Sequence, residues 1–241
     1  MGSVGTLETR TISPNPPRPS LARRCLAEGI ATFALVFAGC GAIVADAERG
    51  GLGPNGVALA FGLVITVMIY ATGHLSGAHI NPAVTAAFCA TRHFPLRDAA
   101  LYIPSQLAGA TLGALLLRAL WDGTPADLGS TVPTVGPGVA VVYEGVMTAF
   151  LMFVIVAVAT DARAVGQAAA IAIGGTVALD ALFGGPVTGA SMNPARSFGP
   201  ALVSGTWVDF WVYVVGPTLG ALVGAVAYVV ARRSNPDATP A

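Results

Sequence analysis

The chain carries the string Asn-Pro-Ala twice, in GAHINPAVT at 77–85 and in GASMNPARS at 189–197, each bordered by stretches apolar enough to lie in lipid. Few features restrict a fold more tightly. Proline inside a helix removes a backbone donor and clashes with the preceding turn, at a cost of about 3 kcal/mol. Asparagine is a poor residue for a membrane helix but a good helix cap. Backbone that leaves a helix cannot face hydrocarbon, because each unpaired amide costs several kcal/mol there. Both strings must therefore sit where protein buries them or where they line water.

The surroundings are those of a membrane chain. Of the 241 residues, 54% are hydrophobic and 10% charged, with a mean hydropathy of +0.72. A soluble domain carries about 25% charged residues, so these charges are too few to cover a globule. Apolar windows at 26–47, 55–73, 98–120, 139–160, 166–184 and 208–231 are each long enough to cross a hydrocarbon core of ~30 Å. Residues 1–20, rich in Pro, Ser and Thr, read as a disordered cytoplasmic tail and not as a cleaved signal, and 232–241 as a C-terminal tail. All twelve basic residues are Arg. Arg10, Arg18, Arg23, Arg24, Arg92, Arg97, Arg163, Arg232 and Arg233 fall on one side of a six-span arrangement, which makes both termini cytoplasmic. That asymmetry suits a bacterial inner membrane or a plasma membrane. The net charge of zero gives no attraction to nucleic acid. Cys25, Cys40 and Cys89 have no metal-ligand spacing and read as small hydrophobes, so no metal is expected. With no nucleophile–base set and no phosphate loop, neither a cofactor nor an enzyme is expected.

The two halves repeat. LAEGIATFALVFAG at 26–39 parallels VYEGVMTAFLMFVI at 142–155, aligning Glu28-Gly29 with Glu144-Gly145, and TLGA recurs at 111–114 and 218–221. One domain over 21–231 would thus contain repeat one at 21–120 and repeat two at 137–231. Three crossings per half force the second half to start from the opposite face, which is an inverted repeat. GHLSGAHI at 73–80 and PVTGASM at 186–192 read as loops. Asn81 and Asn193 then cap short helices with Pro82 and Pro194 in the first turn and Ala83 and Ala195 next. About ten apolar residues follow each cap, spanning roughly 15 Å, half the core. Two half-helices from opposite faces, meeting tip to tip, complete one further crossing. The expected fold is an all-α membrane protein with six transmembrane helices and two half-helices. Such broken-helix repeats build passive channels and gradient-coupled secondary transporters alike.

The paired boxes, the Glu-Gly in spans one and four, and Arg196 directly after the second box together resemble the aquaporin, or major intrinsic protein, superfamily over about 21–231. FAGCGA at 37–42, GHLSGAH at 73–79, ATDARAVG at 159–166 and GGPVTGASMNPARSFGPAL at 184–202 are most similar to the nodulin-type branch and its bacterial relatives. The resemblance implies a channel for water and small uncharged solutes that excludes ions and protons, in a homotetramer with one pore per protomer. It gives Asn81 and Asn193 the role of donating to passing water at the midplane. It puts Arg196 in a narrow outer filter with Phe61, Ala181 and Ala190. Carbonyls of Gly77, Ala78, His79, Gly189, Ala190 and Ser191 would form an acceptor ladder. Water-selective members typically carry His where this chain has Ala181, so the filter is expected to be wider and to admit glycerol, urea or undissociated metalloid acids. Ser197, Ala201, Phe210 and Trp211 resemble the water-channel pattern and pull the other way.

Glu28 and Glu144 read either as proton carriers of a transporter or as braces for irregular loops, and the repeat symmetry favours braces. His79 is expected to support its own loop. Asp180, beside Ala181, is expected to pair at an interface or to line the mouth. Gly109, Gly113, Gly216, Gly220 and Gly224 have the spacing of close helix packing.

Overall fold

The computed structural model describes residues 19–160 and 168–232. Its helices are α1 (Leu21–Arg49), α2 (Gly53–Ser76), α3 (Pro82–Ala90), α4 (Leu96–Leu120), α5 (Pro137–Thr160), α6 (Ala169–Thr188), α7 (Pro194–Ser204) and α8 (Val212–Arg232). All but the short α3 and α7 are long and apolar enough to cross a membrane. Most of the expected tail segments, 1–18 and 233–241, and the stretch 161–167 with Arg163 lie outside the described residues.

Small residues set the distances between the long helices. α1 packs on α4, where a Cβ on Gly109 would overlap the Gly29 carbonyl. α5 packs on α8 in the same way, Gly220 lying against the Gly145 carbonyl. The third close pair is α2 on α6, where a Cβ on Gly62 would come within 2.6 Å of the Gly174 oxygen. Close backbone approach of this kind drives association in lipid, where burying apolar surface gains nothing. The outward faces are correspondingly oily, with Leu63, Leu112, Val142 and Val223 all exposed.

The inverted repeat is visible in the packing. α1 and α4 of the first half correspond to α5 and α8 of the second. The half-helices cross over: α3 packs mainly on α8, and α7 on α4. Each half therefore completes the core of the other.

Three sequence expectations need correction. The loops are shorter than 73–80 and 186–192, because α2 runs to Ser76 and α6 runs through Pro186 to Thr188. Proline deletes one helical hydrogen bond, and neighbouring helices can re-satisfy the freed group in a membrane. What ends these helices is glycine: Gly77 and Gly189 take left-handed conformations at φ 92° and 84°, the usual C-terminal cap. The sixth span starts at Val212, not 208, because Asp209 turns the chain with φ 47°.

Candidate permeation site

Each Asn-Pro-Ala string opens a half-helix as a cap. Asn81 Oδ1 accepts from the Ala83 N–H at 2.8 Å, and Asn193 Oδ1 accepts from Ala195 and Arg196 at 3.0 and 3.3 Å. With the oxygens so occupied, the amide nitrogens face the opposite repeat. Asn81 Nδ2 donates to the Met192 carbonyl at 2.7 Å, and Asn193 Nδ2 donates to the Ile80 carbonyl at 2.9 Å. The two asparagines thus meet, cross-linked, at the tips of α3 and α7. A carboxamide has two N–H groups, so each keeps one beyond the cross-link. The half-helix N-termini bring their positive dipole ends to the same place.

The loops leading to the tips are strained and firmly held. Ala78 and Ile80, like Ala190 and Met192, have φ between 41° and 56°, a region that non-glycine residues rarely adopt. Glu28, fully buried, holds the first loop. Its Oε1 accepts from Ser76 Oγ and the His79 N–H at 2.7 and 2.9 Å, and its Oε2 from the Ile80 N–H and Gln106 Nε2 at 2.7 and 2.8 Å. Glu144 does the same for the second, taking Thr188 Oγ1, the Ser191 N–H and the Met192 N–H at 2.7, 2.9 and 2.7 Å. A proton carrier needs a carboxyl free to exchange with water, and these are consumed by the loops. Among the described residues no protein donor reaches the carbonyls of Gly77, Ala78, His79, Gly189, Ala190 or Ser191, which leaves a row of acceptors. His79 lies in a box of Phe88, Phe94 and Tyr102, with its Nδ1 3.1 Å from Thr85 Oγ1.

Phe61, Ala181, Ala190 and Arg196 line one cavity of about 420 Å³, with Asp46 and Ser130 in its wall. Arg196 is buried, and its guanidinium carbon stands 4.8 Å from the Phe61 ring centroid. Arg196 Nη1 donates to the Gly129 carbonyl at 2.6 Å, while Nε has no partner among the described residues. Two small methyl groups oppose a ring and a fixed cation. Asp180 departs from both expectations. It is fully buried, does not line the cavity, and neither carboxylate oxygen has a hydrogen-bond partner among the described residues. Gly184, one turn further along the same face of α6, lies against Met147 of α5.

Several contributors had no signal in the sequence. Gly129 belongs to a turn in which Ala126, Asp127 and Leu128 all have positive φ, and it meets Arg196 across 67 residues. Thr131 Oγ1 donates to Ser197 Oγ at 2.8 Å, and Ser197 lies 2.6 Å from Ser191 Oγ, which donates to the Asn193 carbonyl. Tyr102 and Tyr213 donate to the last carbonyls of α2 and α6, Ser76 and Thr188, at 2.9 and 2.6 Å. Gly109 and Gly113 meet the Gly29 and Phe33 carbonyls as Gly220 and Gly224 meet those of Gly145 and Ala149, a register that pairs Tyr102 with Tyr213 and departs from the one the TLGA strings suggest.

Two opposed half-helices meeting at paired asparagines, with a lined opening beyond them, define a polytopic membrane channel. The profile of the Major intrinsic protein family matches residues 17–228. Aquaporin NIP1-1 of Zea mays is 49% identical over 214 residues, covering 88% of this chain and 76% of the relative. Nodulin-26 of Glycine max is 47% identical, covering 88% and 79% respectively. The X-ray structure of the aquaglyceroporin from Plasmodium falciparum superimposes with a TM-score of 0.77 at 28% identity, covering 87% of this chain and 96% of that one. The chain belongs to the major intrinsic protein family. It is an integral, multi-pass, passive channel for water and small uncharged solutes, and not an enzyme.

Proposed function

We propose that Phe61, Ala181, Ala190 and Arg196 form the selectivity filter and that it passes small uncharged solutes as well as water: glycerol, urea or undissociated metalloid acids. Selectivity in aquaporin-type pores comes down to diameter and to the donors that line them. The observation that carries the reading is the pairing of two alanines against Phe61 and Arg196 around one cavity. An alanine removes the bulk and the polar contact of a larger side chain, leaving width and an apolar wall for carbon-bearing solutes. Arg196 supplies donors to solute oxygens and repels cations.

Asn81 and Asn193 would act at the midplane. A water oxygen that accepts from both asparagines has its hydrogens directed along the pore and cannot relay a proton. The positive ends of α3 and α7 oppose any cation there. The free carbonyls of Gly77 to His79 and Gly189 to Ser191 serve as steps on either side. The functional domain is 21–231, with repeats 21–120 and 137–231. The Arg distribution supports cytoplasmic termini, in a plasma membrane or bacterial inner membrane. Family membership supports a homotetramer with a pore in each protomer.

Stopped-flow light scattering on proteoliposomes tests the reading. Osmotic shrinkage should accelerate with weak temperature dependence, and vesicles should re-swell rapidly in glycerol, urea or arsenite gradients. Fast water flux without any of these solutes would overturn the wide-filter assignment.

A further inference from the structure

α1 is not uniformly α-helical. Over Val36–Cys40 it widens into a π-helical turn, and Val36, Gly39 and Cys40 of that turn are buried. Such single turns are rare and concentrate at functional sites. This one touches both halves of the filter. Gly39 lies directly beneath Phe61, and a Cβ there would overlap the ring at Cδ1 and Cε1 and come within 2.8 Å of Cζ. The next residue, Cys40, backs Gly129. A Cβ built on Gly129 would fall 2.8 Å from the Cys40 Cβ and 3.1 Å from its Cα. The Gly129 carbonyl is the group that holds Arg196.

The other repeat supplies an internal comparison. In the register that pairs Glu28 with Glu144, Gly39 and Cys40 correspond to Ile155 and Val156. There α5 continues as a regular α-helix from Pro137 to Thr160. The departure from the repeat therefore occurs in the half where a span-one helix backs the filter. The feature is a widened turn with a glycine and a small thiol side chain, in place of two branched residues.

We infer that the π turn Val36–Cys40 positions the filter: Gly39 sets how far the Phe61 ring stands out into the opening, and Cys40 sets the carbonyl that aims Arg196. Gly39 and Cys40 are positioning residues, since neither lines the cavity. The inference rests on the filter reading above. Adding bulk at Gly39 must move the ring toward Ala181 and Ala190, because the helix backbone of α1 cannot retreat from its contacts with α4 and α7.

The test compares glycerol-to-water permeability ratios in proteoliposomes, normalised to folded protein, for wild type, Gly39→Ala, Phe61→Ala and the double variant. Phe61→Ala alone tests the filter and should raise the ratio. An unchanged ratio there removes the filter reading and this inference with it. Gly39→Ala should lower the ratio by at least about threefold in the wild-type background and leave it nearly unchanged once the ring is gone, the signature of direct coupling. If Gly39→Ala fails to fold, Gly39→Ala/Phe61→Ala should fold, because the overlap is relieved. Equal fractional loss in both backgrounds, an unaltered ratio, or failure of the double variant to fold would overturn the role of Gly39 while leaving the filter intact. As a second arm, Cys40→Val should change the ratio through Gly129, and that change should vanish in an Arg196→Ala background. Persistence of the change there overturns the role of Cys40.

Discussion

Replacing Glu144 by Gln keeps shape and removes one acceptor, so the cost can be worked from the contacts. If the carboxamide oxygen stays at the Oε1 position it still serves Thr188 and Ser191. Its NH₂ then faces the Met192 N–H, now 2.7 Å from Oε2. A buried backbone donor is left without an acceptor, opposite another donor, which costs about 1–3 kcal/mol. The flipped amide orphans Ser191 instead, and Thr188 has only the Gly184 carbonyl at 3.5 Å to turn to. At about 2–4 °C per kcal/mol for a chain of this size, the unfolding midpoint should fall by roughly 2–12 °C. Glu144→Ala orphans both backbone donors and should lose about 2–6 kcal/mol. The assay is tryptophan-monitored thermal unfolding in detergent, paired with stopped-flow flux per folded protein. The filter side chains are untouched, so the surviving protein should keep its glycerol-to-water ratio. An unchanged midpoint in Glu144→Gln, or solute uptake that depends on a proton gradient in wild type and is lost in the variant, would refute the bracing argument.

Other outcomes are equally specific. Ala181→His should cut glycerol or arsenite flux about tenfold more than water flux, and equal losses would count against a wide filter. Arg196→Ala should admit larger solutes and measurable cation current, and unchanged selectivity would mean that the guanidinium does not face the permeant. Gly220→Ala, whose Cβ would overlap the Gly145 carbonyl, should cost about 1–3 kcal/mol and lower the yield of folded protein without altering the solute ratio.

The re-entrant architecture was readable because Asn-Pro is a cap followed by a first-turn proline, a local signal that needs no tertiary knowledge. The six spans were readable because lipid demands long apolar runs. Their ends were less so. Pro186 looks like a stop, yet α6 continues past it, and the true stops, Gly77 and Gly189, mattered for a left-handed angle that composition does not display. The four residues taken for the filter line one cavity, but their support was invisible. Gly129 contributes a carbonyl, which every residue has, and the π turn leaves no periodic trace in five residues. Asp180 shows the reverse failure, since a carboxylate suggests a partner or a pore, and the described residues around it provide neither.

The reciprocal bonds between the tips also bear on how the protein is made. Asn81 waits for a carbonyl 111 residues further along, and Ile80 waits for an amide 113 residues away. While the nascent chain emerges, the leading hairpin has no mate, and its bent backbone would be exposed to acyl chains. Maturation must therefore be late and concerted: the first re-entrant segment can lock only after Met192 and Asn193 have left the ribosome, so a premature stop upstream of them removes the whole pore instead of leaving half a channel.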